Sequence, residues 1–285
     1  YDTVIVGAGA AGVTLATRLT EDPSHHVLLL EPGPDYPDFA TLPDELKYGD
    51  ARTFALADDP HNWNYSARGT DLAELIEVPR GKAMGGSTAI NAQIFLRGVP
   101  EDYDSWADEG LDEWSYKKLL AGFRRSENDL DYGGDFHGKS GPIRVERAPR
   151  EEWLPAQSGF YEACRALGYA DCPDHNLPDS TGVGPLSFNL IDGVRISTAL
   201  AYLPDARHRL NLTIRSETLV HRLIIEDGRA TGVIAESGGE MFEVRAGQMI
   251  VSAGAVVSPQ LLMLSGIGPA DHLEEHGIKV VADVP

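Results

Sequence analysis

Two rhythms of hydrophobic and polar positions run through this chain. Residues 4–6 are a short, dense apolar run that reads as a buried strand. Residues 13–19 carry apolar side chains at helical spacing, and residues 27–30 return to a continuous apolar run. The chain therefore opens as strand, helix, strand. Residues 32–78 lose the pattern and are rich in Pro, Asp and Gly, which predicts a loop-dominated excursion. A helical region begins near Tyr103, and residues 114–125 place Leu119, Leu120 and Phe123 on one face. Residues 143–145 read as a strand. Residues 153–167 read as an amphipathic helix with Phe160, Cys164 and Leu167 facing a core. Residues 185–191 suit a strand after an irregular polar stretch.

The last third is mostly β. Residues 212–214, 218–225, 230–236, 241–244 and 249–251 read as strands, and Asp227-Gly228 is a hairpin signal. Ser258 then reads as the cap of a helix over 259–264, with Pro259 at its first position. The whole predicts an α/β fold: a Rossmann-like parallel sheet with an antiparallel meander.

Composition narrows this picture. The chain has 285 residues, enough for one large domain or two modest ones, and a net charge of −20. That charge disfavours nucleic acid and anionic membrane surfaces as partners. No apolar run is long enough to span a bilayer. Cys164 and Cys172 have no metal-ligand spacing and read as ordinary packing or surface residues. The expected location is the cytoplasm, although a chain starting at Tyr1 without methionine leaves a removed leader open.

The candidate chemistry is glycine-rich. Gly7-Ala8-Gly9-Ala10-Ala11-Gly12 is a GxGxxG between a strand and a helix, the context in which glycines give a tight turn, close approach of a pyrophosphate and helix–strand packing. The helix start adds oriented N–H groups. Glu31, at the end of the second strand, is placed to accept from ribose hydroxyls and to repel a 2′-phosphate. The bland alternative is a glycine-rich turn in an ordinary βαβ unit. A second loop, Gly81-Lys82-Ala83-Met84-Gly85-Gly86-Ser87-Thr88, has the same capacity to bring main-chain N–H groups to an anion.

With Ile90, Asn91, Phe95, Gly98 and Asp104, this second loop resembles the first signature of the glucose–methanol–choline (GMC) family of FAD oxidoreductases. Gly254, Ala255, Ser258, Pro259, Leu261, Leu262, Ser265, Gly266, Ile267 and Gly268 resemble its second. The resemblance implies FAD, with Ala83, Gly85, Gly86 and Ser87 at the pyrophosphate. It also puts Asn91, Ala92, Gln93 and Ile94 along the flavin ring, Val220 at the adenine and Ala253 at the turn toward the cofactor. It puts Trp63 near the flavin, unless that ring only anchors the excursion. Some members attach FAD through a histidine just before the asparagine. Ile90 stands there, which implies non-covalent FAD.

By the same resemblance, residues 1–148 are the first part of the FAD-binding domain, 149–203 the start of an α+β substrate domain, and 204–285 the second part of the FAD-binding domain. Residues 195–204 resemble the segment that returns the chain to it. The implied reaction is oxidation of an alcohol to an aldehyde or ketone by hydride transfer to flavin N5. Oxygen or another carrier would serve as electron acceptor. The family's catalytic pair, a histidine with a second histidine or asparagine, is expected downstream of Pro285. No catalytic residue is therefore assigned in this chain, which reads as one piece of a longer or cleaved protein. Rival readings are a GMC-fold lyase, a fatty-acid photodecarboxylase, and a flavin-binding subunit whose partner chain carries the downstream half. An NAD-dependent enzyme is disfavoured by the two extra signatures.

Overall fold

The computed structural model describes residues 1–49 and 59–285. The part of the expected excursion at 50–58 lies outside the described residues. In chain order the elements are β1 (Thr3–Val6), α1 (Ala10–Leu19), β2 (Val27–Leu30), α2 (Asp44–Lys47), β3 (Tyr65–Ala67), β4 (Ile76–Val78), α3 (Pro100–Asp108), α4 (Tyr116–Ser126), β5 (Glu127–Asp129), β6 (Ile143–Arg147) and α5 (Pro155–Ala166). They continue with β7 (Ser187–Phe188), β8 (Leu190–Ile191), β9 (Val194–Arg195), α6 (Thr198–Ala206), β10 (Leu212–Arg215), β11 (Leu219–Glu226), β12 (Arg229–Ser237), β13 (Glu240–Arg245), β14 (Gln248–Val251), α7 (Gly254–Leu264), β15 (Ile267–Gly268), α8 (Ala270–Glu275) and β16 (Ala282–Asp283).

The chain divides into two compact units, one of residues Tyr1–Ile90 with Ser197–Pro285, the other of Asn91–Ile196. These cuts fall at other places than the bounds at 149 and 203 that the resemblance implies. The first unit is built on a parallel sheet of order β10-β2-β1-β14. Thr3 pairs with Val27 on one side and Gln248 on the other. Every residue of β1 and β2 is buried, which explains runs without polar alternation. An antiparallel sheet of β11, β12 and β13 packs with it. Val4, Val6, Leu28 and Leu30 share one apolar cluster with Val220, Leu223, Val233 and Leu261. The Asp227-Gly228 turn joins β11 to β12 as the sequence predicts, with Asp227 and Gly228 both at positive φ.

Two local expectations are corrected. Helix α7 begins at Gly254, not after Ser258, and Pro259 lies inside it. In α5 the expected core face is outward: Phe160 and Leu167 are exposed, and Tyr161 is the buried residue. Its ring meets Trp153 edge-on, carries the Arg150 guanidinium over its face, and its hydroxyl donates to Asp171. Among the described residues no helix is long and apolar enough to cross a membrane. Cys164 and Cys172 are free thiols.

The second unit buries charge. Glu127, Asp129, His137, Arg147 and Asp174 are interior, beside Val145 and Cys172. The three carboxylates face three cations: Arg97 bonds Glu127 at 2.6 Å, Arg147 bonds Asp129 and Asp174, and both ring nitrogens of His137 lie against carboxylates.

Candidate functional site

The first unit contains a cavity of about 460 Å³ at the carboxyl ends of its parallel strands, the edge at which open α/β sheets bind ligands. Val6 and Gly7 leave β1, Leu30 and Glu31 leave β2, and Ser252 and Ala253 leave β14 to line it. Two helices start there. Neither α1 nor α7 has a side-chain cap on its first turn. Gly9, Ala10 and Ala11 at one start, and Gly254 to Ser258 at the other, border the cavity. Unspent N–H groups at helix starts favour an anion.

The two glycine loops meet in this cavity. Gly85 N–H donates to the Ala8 carbonyl at 2.8 Å, and Ala8 N–H donates to Glu31 at 2.9 Å. Ala8, passed over in the sequence, is thus the residue that ties both loops to the acidic strand end. Gly86 has φ +53° and faces Gly9 so closely that a Cβ on it would lie 2.7 Å from the Gly9 Cα. Gly12 packs behind the turn: a Cβ there would stand 1.9 Å from the Gly7 carbonyl oxygen. Main chain alone forms the floor between the loops, which suits an extended diphosphate.

Glu31 is buried and accepts from Ala8 and Gly33 N–H groups. Burial pushes its carboxyl up to about 7, against the opposing pull of those two bonds and the Lys82 charge. Trp63 also borders the cavity. It stacks on Tyr65 with centroids 5.8 Å apart, and the Lys82 ammonium lies 5.1 Å from its ring centre.

Of the residues singled out by sequence, Gly7, Gly9, Ala10, Ala11, Glu31, Trp63, Gly86, Ser87, Val220 and Ala253 line the cavity. Gly12, Ala83 and Gly85 support it from behind without lining it. Asn91, Ala92, Gln93 and Ile94 belong to the second unit. There Gln93 is held at φ +58°, with its N–H on the Asn91 side chain and its carbonyl accepting from Asn189. The Asn91 carbonyl accepts from Arg195. A non-glycine residue kept at positive φ marks a turn that its surroundings over-determine. Thr88 of the second loop also lines the cavity, and sequence reasoning missed Thr218 and Ser252, small polar residues beside recognised motifs that line it too.

Comparison with known proteins gives consistent results. The profile of the GMC oxidoreductase family matches residues 1–281. The chain is 40% identical over 291 residues to human mitochondrial choline dehydrogenase, covering all of this chain and 48% of the relative. It is 38% identical to the oxygen-dependent choline dehydrogenase of Photobacterium profundum, covering all of this chain and 50% of that protein. Among solved structures, pyridoxine 4-oxidase from Mesorbium loti superposes with a TM-score of 0.93 at 37% identity, covering all of this chain and 55% of that one. The chain thus spans about half the length of these relatives.

Proposed function

Because the chain belongs to the GMC family of FAD oxidoreductases, we propose that its first unit holds FAD non-covalently and that the protein serves oxidation of an alcohol to an aldehyde or ketone. One observation carries the cofactor reading: the side-chain-free approach of Gly9 and Gly86 inside a cavity bordered by two uncapped helix starts. Gly7, Gly9, Ala10, Ala11, Gly86 and Ser87 hold the diphosphate, with Gly12, Ala83 and Gly85 behind them. Glu31 takes the adenosine ribose, Val220 borders the adenine, Ala253 turns the chain toward the cofactor, and Trp63 lies toward the flavin. Ile90, buried and aliphatic, offers no atom for a covalent link at that position.

When bound, the flavin supplies a two-electron acceptor at N5 for the α-hydrogen leaving as hydride. This chain's residues bind and orient it. The acceptor of the hydroxyl proton is assigned to the part of the family's length that this chain does not span. We assign the first unit to cofactor binding and the second to the beginning of the substrate domain. The substrate reading is a small primary alcohol, supported by the relatives' names: choline and pyridoxine both carry a CH₂OH group. Oxygen or another carrier restores the oxidised cofactor, and the cytoplasm is the assigned compartment.

The test uses the native protein containing this sequence. It should purify with flavin absorption bands, and a panel including choline and pyridoxine should bleach them anaerobically. Native protein that lacks flavin and takes up none from added FAD would overturn the cofactor reading. Bound flavin that no alcohol reduces would overturn the reaction.

A further inference from the structure

Behind the second glycine loop, outside the cavity lining, lies a relay of three polar side chains, His61 buried and Tyr36 and Asp59 half-buried. His61 is buried, and both its ring nitrogens are engaged. Nδ1 lies 3.1 Å from Asp59 Oδ1, and Nε2 lies 2.7 Å from the Tyr36 hydroxyl. The same Asp59 oxygen accepts from the His61 main-chain N–H at 2.7 Å, and Glu45 approaches Nδ1 at 3.4 Å. An Nδ1–H donating to Asp59, with the Tyr36 O–H donating to Nε2, satisfies every group in the chain.

Both ends of this relay reach the loop. The His61 carbonyl accepts from Lys82 N–H at 2.7 Å. Asn62 Oδ1 accepts from Arg80 N–H, Trp63 N–H donates to the Arg80 carbonyl, and Asn62 bridges Gly81. Residues 61–63 thus form a rail along which the loop enters. At the other end, the Tyr36 ring packs on the loop's apolar underside, a cluster of Leu46, Ala83, Ala89 and Ile90. The rail and the underside are joined by the Tyr36–His61 hydrogen bond, with the two rings edge to face at 5.7 Å.

We infer that His61 is a positioning residue: the Asp59–His61–Tyr36 relay fixes the main chain of the second glycine loop for a diphosphate, without itself touching the ligand. The inference rests on the dinucleotide reading of the cavity. A histidine that only filled space would not need polar partners at both nitrogens, nor lie between the loop's entry strand and its floor. Fixing the loop in advance removes an ordering cost from binding, so the relay acts on affinity for the diphosphate rather than for the adenosine end.

The experiment compares ADP, FAD and adenosine as probes on the native protein, loaded or stripped of cofactor. His61→Leu removes the ring partner of the Tyr36 hydroxyl and of Asp59, while Asp59 keeps the main-chain N–H of residue 61, and should weaken ADP and FAD binding about tenfold. Adenosine binding should change by less than about twofold, since Glu31 and Val220 are untouched. Tyr36→Phe should weaken ADP in the same sense, and the double variant should lose no more than His61→Leu alone. His61→Gln, whose amide reaches the Nε2 position, should recover much of the loss. Equal weakening of ADP and adenosine would reduce His61 to general packing and overturn the inference, as would unchanged ADP affinity in both Tyr36→Phe and His61→Leu. Wild-type protein that binds ADP but not FAD would overturn the flavin reading while leaving the relay to be judged on ADP. Failure to bind either would overturn both.

Discussion

Glu31 combines two demands that oppose each other. As an acceptor for ribose it must be polar, yet it sits at the buried end of β2. Its position at the strand end was legible in the sequence. Its burial was not, because the residues that enclose it come from far away: Thr218 N–H bonds its main-chain carbonyl and Arg215 accepts from its N–H. The consequence is a stability that depends on pH. Burial raises the carboxyl from about 4.5 to about 7. Between those values the folded, cofactor-free protein keeps a proton that the unfolded chain has released. Stability contributed by this group therefore falls as pH rises through that window and levels off above it. Calorimetry of cofactor-free protein should show this decline between pH 4.5 and 7. Glu31→Gln should remove it, while losing an acceptor for one main-chain N–H at about 1 kcal/mol. A slope that survives in the Gln variant would belong to other groups. With FAD bound, the same variant should hold the cofactor more weakly, read as the fraction of flavin lost on desalting.

At the scale of elements, what was legible is what is local. Strands β1 and β2, helix α1 and the β11–β12 hairpin follow from apolar runs and turn residues within a few positions. The start of α7 was misplaced because Ser258 and Pro259 form a sound helix-start signal. The chain turns at Gly254 instead, at φ +84°, and Pro259 lies inside the helix, without an N–H for the carbonyl four residues back. The face of α5 was misread because apolar spacing shows a stripe without showing what lies opposite. Arg150 over the face of Tyr161 and Trp153 against its edge selected a different side. The loops also separate two glycines that sequence treats alike. Gly85 has room, since a Cβ would meet Ala199 and Ser197 only at 3.4 Å, but its φ of +98° disfavours any side chain by about 1–2 kcal/mol. Gly86 has positive φ and also a clash with Gly9. Gly86→Ala should therefore strip more flavin than Gly85→Ala, measured as flavin per chain after gel filtration. The reverse order would mean that the Gly9–Gly86 approach is not where the diphosphate lies.

At the scale of the molecule, the two units are held by different physics. The first has the interior that its sequence advertises, apolar strands under an antiparallel sheet. The second places Glu127, Asp129, Asp174, Arg97, Arg147 and His137 in one ion network, and nothing in their spacing marks them as interior. They come from separate segments, and each alone reads as a solvated charge. The network balances only if His137 is doubly protonated, because its Nδ1 lies 3.0 Å from Asp129 and 3.2 Å from Glu127 while its Nε2 lies 2.7 Å from Asp174. Burial alone would depress the imidazole, but the close carboxylates of Asp129, Asp174 and Glu127 outweigh it and push it up from 6.5 to about 10. The sign follows from linkage: the folded form holds this proton after the unfolded chain has lost it, so the stabilisation is complete below pH 6.5 and disappears as pH rises toward 10. The partners work in the opposite sense. Burial would raise Asp129 and Asp174, but His137 and main-chain N–H groups, with the Arg147 charge assisting, hold them below the usual carboxylate range, so their contribution is lost on acidification below about 4. The second unit should be most stable on a plateau between those limits. Hydrogen exchange of its core amides, in β5 and β6, should accelerate from pH 7 to pH 9.5 beyond the intrinsic base-catalysed rate. His137→Gln should lower stability by about 3–5 kcal/mol at pH 6, because it leaves buried carboxylates without their counter-charge, and should flatten the alkaline dependence. A variant as stable as wild type at pH 6, or an unchanged alkaline slope, would show that His137 is neutral in the folded protein and that the charge of this core is balanced in another way.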